Sequence, residues 1–454
     1  MNIIYLYIYV FLTFLIAVYL ILKSGPTHKY ITFIIAYWIL AGSVLNTEYF
    51  IIDIERLPFD LQPNRIIFIL FTIYLILVWA GKIKNVRVKT REPKFEKYLF
   101  LYISLSIVID VIHTVDILTT KDIILNSTQI LTFLVIYLVL KRTADREMIN
   151  VFIKSLLIAC IFSSLIGIYQ FLVNPFFFRL GSERLAYAGL LRSNGIFHAE
   201  YIQSYFLIMG IVLILFTIPK KLLKYSLLII FLTAIIFTFH RMSWIVLIII
   251  LTLYLIEVKK KKVWQMAALG SIAILLVFLL LSNFPSKLTE VRNSPFIQDR
   301  LFADTMTGRI GYYKMVLRNI PQNWLIGFGS RKSDVYYYGM LEAGASKSYA
   351  LGEEGGIHNG YLDIMFYNGI PSLILYLLFN FLIFLYFWRL AGFKHIFYFI
   401  PLFVLIMNIL SNLTNGFPLS SDLGLLLAVF LGIGVAAYQK NIDMSRLINE
   451  KIYK

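Results

Sequence analysis

A histidine and four arginines stand where apolar stretches of the chain meet polar ones. His358 and Asn359 lie in Gly-Gly-Ile-His-Asn-Gly-Tyr-Leu-Asp, residues 355–363, at the end of the longest polar interruption. Arg309 lies inside that interruption, with Tyr313 and Arg318 after it, while Arg241 follows His240 at the start of an apolar run. Arg192 heads Arg192-Ser193-Asn194-Gly195-Ile196-Phe197-His198. An arginine stays charged and offers a planar fork of donors that suits a phosphate. A histidine titrates near neutrality and can take a proton from a hydroxyl. At a helix start the dipole disfavours its protonation, while Glu353 and Glu354 act the other way. Each residue also has a plainer reading. His358 can bond lipid headgroups, Arg309 can be a solvated helix face, Arg241 can snorkel, Arg192 can touch headgroups, and Asn359 can cap a helix.

A second group is Asp110, His113 and Asp116. Their spacing of three puts them along one helical face of an apolar run. Ionisable groups inside a span are expensive and are usually functional. These either line a polar cavity or proton path, or cluster at a hydrated outer end.

The elements that must position these residues are apolar spans. Hydrophobic residues make up 59% of the 454, charged residues 15%, and mean hydropathy is +0.79. One soluble core cannot bury so much apolar surface, so the composition reads as an all-α polytopic membrane protein. A spanning helix takes about 20 mostly apolar residues. The pattern gives about thirteen, near 3–22, 31–52, 66–81, 98–118, 123–140, 149–172, 201–219, 224–239, 242–257, 264–282, 360–388, 395–411 and 422–439. The first run has no small-residue cleavage site after it and reads as a retained helix. The chain divides into about ten spans over 1–282, a large loop with short helices over 283–358, and about three spans over 359–454. Cys160, the one cysteine, excludes internal disulfides and cysteine metal cages. Sequons at Asn126 and Asn412 carry little weight without a glycosylating compartment.

The net charge of +17 is not a nucleic-acid signature, because lysines and arginines cluster at span ends. Alternate loops are basic: 23–29, 82–97, 141–146, 220–224, 259–262, 389–394 and the tail from 440. The positive-inside rule puts these in the cytoplasm and the long loop outside. No nucleotide-binding motif occurs, and an outward-facing site would need substrates that arrive already activated. Within the loop, 304–320 reads as a helix closed by Pro321, with Arg309, Tyr313 and Val316 on one face. Residues 321–329 read as a turn into a glycine hairpin, with Trp324 as an interfacial anchor. The stretch 336–356 shows no strong periodicity, and the chain re-enters the membrane at His358.

Several motifs resemble the O-antigen ligase and Wzy-type polymerase superfamily of GT-C-like membrane glycosyltransferases. They are Gly308-Arg309 with the aromatic helix and Gly327-Phe328-Gly329, His358-Asn359 with Leu362 and Gly369, Arg241-Met242-Ser243-Trp244, and the segment from Arg192 to His198. The common serine before the arginine is His240 here. The resemblance implies His358, Arg309 and Arg241 as catalytic residues, and Arg192, Asn359, Tyr313 and Arg318 as substrate contacts, with no metal or cofactor. It implies an undecaprenyl-diphosphate-linked oligosaccharide as donor and acceptor, membrane lipids around it, a chain-length regulator as a further partner, and no nucleic acid. The implied setting is a bacterial inner membrane with the site facing outward. Polymerisation of lipid-linked repeat units is the leading expectation, and ligation of finished glycan to a lipid is the alternative. From another class, a lipid-linked-oligosaccharide flippase is the rival, although no internal repeat of the kind transporters carry is detectable.

Overall fold

The computed structural model describes residues 3–46, 63–80, 92–113, 117–180, 191–258, 304–329, 334–343, 357–393, 396–414, 419 and 422–442. Among these residues the chain forms fourteen α-helices and no strand. They are α1 (Ile3–Ser24), α2 (Lys29–Ala41), α3 (Pro63–Trp79), α4 (Lys94–Ile112), α5 (Ile117–Thr143), α6 (Arg146–Leu172) and α7 (Glu200–Thr217). Then come α8 (Lys221–Phe237), α9 (Arg241–Leu253), α10 (Asp304–Asn319), α11 (Asp334–Glu342), α12 (Gly360–Phe393), α13 (Phe399–Ser411) and α14 (Asp422–Gln439). In lipid every backbone polar group must be satisfied within the segment, which is why these isoleucine- and phenylalanine-rich runs are helical despite their β-branched content. Helices α1, α6, α7, α12 and α14 are long and apolar enough to cross a membrane, and α2, α3, α9 and α13 are shorter apolar helices. The protein is a polytopic all-α membrane protein.

Burial separates centre from rim. The apolar windows of α7 and α14 are 89% buried, against 33% for α1. Helix α14 lies against α5 and α13, α12 lies along α4, and α6 takes α2 and α8. One continuous apolar core therefore runs through helices from both ends of the chain. A second, smaller core of Met315, Val316, Ile320, Tyr336, Met340, Ile357, Phe366 and Tyr367 joins α10 and α11 to the head of α12.

The loops gather at two ends. At one, Lys141 Nζ is 2.7 Å from Glu96 and also bonds Glu92. Lys440 Nζ donates to the carbonyls of Arg142 (2.6 Å) and Ala144 (3.0 Å), and the Thr27 amide donates to Asp145 (2.8 Å). These are loops the charge pattern puts on a single side. At the other end Ser43 N bonds Ile196 O, Ser193 N bonds Phe237 O, and Gly360 N bonds Asn412 O.

Two features differ from the sequence reading, and a third goes beyond it. Residues 334–342, overlapping the start of the stretch read as aperiodic, form α11, with Tyr336 and Met340 one turn apart and fully buried. The run read as one span from 360 is broken at Gly369, whose φ of 78° and ψ of 172° are not helical, two residues before Pro371. Asn412 is 3% exposed and its side-chain amide donates to Tyr376 Oη (3.1 Å) and Asn408 Oδ1 (3.2 Å), so it is a core amide and no glycan acceptor. The predicted span 264–282 lies outside the described residues, as do Asp116, Glu353 and Glu354.

Candidate functional site

The site is assembled on the approach to α12. Asn359 caps the helix: its Oδ1 accepts from the amides of Tyr361 and Leu362, both at 3.1 Å, and its carbonyl accepts from Asp363 N at 2.8 Å. Asp363 is 2% exposed and its Oδ1 accepts from Ile357 N at 3.4 Å, a reciprocal cap reaching back across the turn. Ile357 is fully buried. On the other flank Gly360 N donates to Asn412 O (2.8 Å), and Asn359 Nδ2 to Leu413 O (3.3 Å).

Between these fixed points sits His358, half-buried, with φ at 58°. A non-glycine residue in the left-handed region costs about 1–3 kcal/mol and persists only where the surroundings over-determine it, commonly at functional sites. Here they do: the residues before and after are both pinned. His358 stands one residue ahead of the cap, outside the helix proper.

Helix α10 reaches this turn directly. The Tyr313 hydroxyl donates to the His358 carbonyl at 3.5 Å. Arg309 is one turn earlier on the same face, half-buried, and Val316 one turn later is fully buried in the second core. The predicted face of α10 therefore exists and meets the predicted histidine.

Beyond α10 a short 3-10 turn (Ile320–Gln322) leads to 323–329. The expected glycine hairpin is instead a segment docked on the break of α12. Phe328 N bonds Phe366 O (2.8 Å), Gly329 N bonds Tyr367 O (3.0 Å), and Ile370 N bonds Trp324 O (2.8 Å). The glycines permit this approach. A Cβ on Gly327 (φ 64°) would lie 2.5 Å from Phe366 O, and one on Gly369 would lie 2.4 Å from Leu325 O. The carbonyls and amides freed by the broken helix are thus spent on the loop.

The remaining arginines lie off this face of α10. Arg318 is on the opposite face of α10, exposed, 3.8 Å from Glu342 of α11. Arg241 opens α9 and is exposed, at the same end of the bundle, with α9 packed on α13. Its neighbour His240 lies against the rings of Tyr205 (5.5 Å) and Tyr201 (6.1 Å). Arg192 bonds Glu200 at 3.2 Å and its carbonyl accepts from Arg179 (2.7 Å). It belongs to a separate turn anchored on α6 and α7.

Asp110 and His113 prove to adjoin the site. Asp110 is 7% exposed and accepts from Ser127 Oγ at 3.5 Å. His113 packs on Gly329, where an added Cβ would lie 2.6 Å from its own. Sequence reasoning gave no role to Asp363 or Asn368. Asp363 stands four residues after the cap, one beyond the capping-box spacing, and nothing local marked either residue.

Residues 226–377 match the family described as O-antigen ligase. The match takes in Arg241, Arg309, Tyr313, Arg318, His358 and Asn359, and leaves Arg192 upstream. No curated protein matches the chain. The helix α12 break, the docked loop ahead of it and the His358 turn all fall within or beside the segment, residues 226–377, that is similar to the O-antigen ligase family.

Proposed function

We propose that the protein polymerises undecaprenyl-diphosphate-linked oligosaccharide repeat units into a surface polysaccharide, with the site on the outer face of a bacterial inner membrane. In this reading an acceptor hydroxyl oxygen attacks the anomeric carbon of the donor sugar. The bond from that carbon to the diphosphate breaks, and the diphosphate leaves with the electron pair. The hydroxyl proton passes to His358, and Arg309 and Arg241 meet the charge growing on the diphosphate. Tyr313 and Asn359 hold the turn that carries His358. No nucleotide, metal or cofactor enters these steps.

The observation that carries the proposal is His358 itself. It is held in a costly backbone conformation, pinned on both flanks, next to the Arg309–Tyr313 face, within the segment that matches a glycan-transferring family. Preorganised groups need no rearrangement as charge develops, which is where electrostatic catalysis gains most. Transfer of finished glycan to a lipid acceptor is the second reading, favoured by the description of the matched family. Both use the same chemistry and differ in the acceptor.

The test is reconstitution in proteoliposomes with the lipid-diphosphate-linked repeat unit alone, without nucleotide sugar. A product ladder on a gel establishes the polymerase. Transfer only to an added lipid acceptor establishes the ligase. No transfer with the native donor, together with donor movement across the bilayer, replaces both with a flippase.

A further inference from the structure

We infer that Asn412 is a positioning residue: it clasps the two halves of the broken helix α12 and so fixes where the His358 turn stands. Helix α13 ends at Ser411, and the last carbonyls of a helix have no partner within it. Here the end of α13 meets the head of α12. The Tyr361 hydroxyl donates to Ile409 O at 2.8 Å, Gly360 N to Asn412 O at 2.8 Å, and Asn359 Nδ2 to Leu413 O at 3.3 Å. All three bonds fall before Gly369, where the backbone of α12 leaves the helix. After the break stands Tyr376, fully buried, and the Asn412 side chain reaches it. Asn412 Nδ2 donates to Tyr376 Oη at 3.1 Å and to Asn408 Oδ1 at 3.2 Å, and Tyr376 Oη donates to Asn408 Oδ1 at 3.4 Å. Asn412 therefore holds the head of α12 through its carbonyl and the long remainder through its amide. The bend it spans is large. In an unbroken helix the Cα atoms of residues 361 and 376 would be about 22 Å apart, yet the ring centroids of Tyr361 and Tyr376 are 6.2 Å apart.

The consequence is geometric, and Asn412 touches no reacting atom. The bonds of Asn359 to Tyr361 and Leu362, and of Asp363 to Ile357, lie within the turn and the head of α12. They shape the turn without placing it. What places it are the bonds to α13, the Tyr313 bond at 3.5 Å, and the segment 323–329 docked at the break. Releasing the Asn412 amide frees the angle between the two halves and moves His358 against the Arg309 face. A displacement near 1 Å costs about a hundredfold in rate. An amide that only stabilised the core would lower the unfolding temperature and leave the rate per folded molecule alone.

This inference rests in part on the proposed transfer reaction, so its test has an arm that does not. Amide hydrogen exchange over residues 358–364 is measured in nanodiscs for wild type, Asn412→Leu and Tyr376→Phe, with thermal unfolding of each. Asn412→Leu keeps the backbone carbonyl and removes the side-chain bonds. It is expected to exchange over 358–364 about tenfold faster or more. Tyr376→Phe, which leaves Asn412 its bond to Asn408, is expected to fall between that variant and wild type. In the transfer assay Asn412→Leu lowers kcat by about ten- to a hundredfold with KM nearly unchanged, and Tyr376→Phe again falls between. Unchanged exchange in a folded Asn412→Leu overturns the clasp, whatever the activity. Faster exchange with a wild-type kcat per folded molecule overturns the positioning role and leaves Asn412 as a core amide. Should Asn412→Leu not fold, Tyr376→Phe removes one hydroxyl from the same network and decides with the same outcomes. If wild type shows no transfer, the exchange arm alone decides the clasp, and it is the proposed function that fails.

Discussion

Two irregular turns lie at the same end of the bundle, and each presents a histidine. They solve the problem of polar backbone in an apolar protein in opposite ways. The turn 193–197 is wholly buried. The amides of Asn194 and Gly195 both donate to Gln170 Oε1, at 3.0 and 2.9 Å, and Gln203 Nε2 donates to Ser163 O. Its histidine, His198, is tied off by Ser43 Oγ at 3.1 Å and lies 3.9 Å from Asp422. The turn 357–360 is held just as firmly through its flanks, and His358 is half-buried beside the Arg309 face whereas His198 is exposed. In the first turn the left-handed position is filled by glycine (Gly195, φ 56°), which bears it without strain. In the second it is filled by His358. Among the described residues Phe178, Phe239 and Asn441 also hold a positive φ, so what sets 358 apart is the titratable side chain carried there.

The contrast can be broken from either side. The largest effect is expected from Gly195→Ala. The new methyl would lie 2.2 Å from Ser163 Oγ in a backbone conformation that disfavours it. A loss of about 3 kcal/mol is expected, read as a lower unfolding temperature or failure to purify as a single species. Gln170→Leu comes next: it leaves two buried amides without their acceptor and costs about 2 kcal/mol, with activity per folded molecule preserved. The smallest and most telling is His358→Gly. Relieving the strain should stabilise the protein by about 1 kcal/mol in thermal unfolding while abolishing transfer. A destabilised His358→Gly with retained transfer would reverse the roles assigned to the two turns.

Most helices were legible because their cause is local. Apolar runs of the right length declare a span, and basic residues at alternate ends group the loops that the structure brings together, such as 141–146 with Lys440. The face Arg309–Tyr313–Val316 was legible by its helical spacing, and Asn359 by its capping chemistry. The rest depends on contacts between distant segments. Gly327 and Gly369 each signal a turn locally, but nothing near either says that they approach each other's backbone. Helix α11 is not legible because six apolar or aromatic residues among nine blur the period, and only burial of Tyr336 and Met340 singles out its inner face. Asp110 and His113 read as a group apart, since Gly329, on which His113 packs, is more than two hundred residues away.

In the proposed reaction His358 is held for chemistry. Its most direct test is the single-turnover rate of sugar transfer from the lipid-diphosphate donor by His358→Ala, with thermal unfolding recorded on the same sample. A loss of about 10²–10⁴-fold at an unfolding temperature equal to or above that of wild type is the expected result. A rate within about threefold of wild type from a folded His358→Ala would contradict the account, leaving the strained turn as architecture and the base to be sought elsewhere.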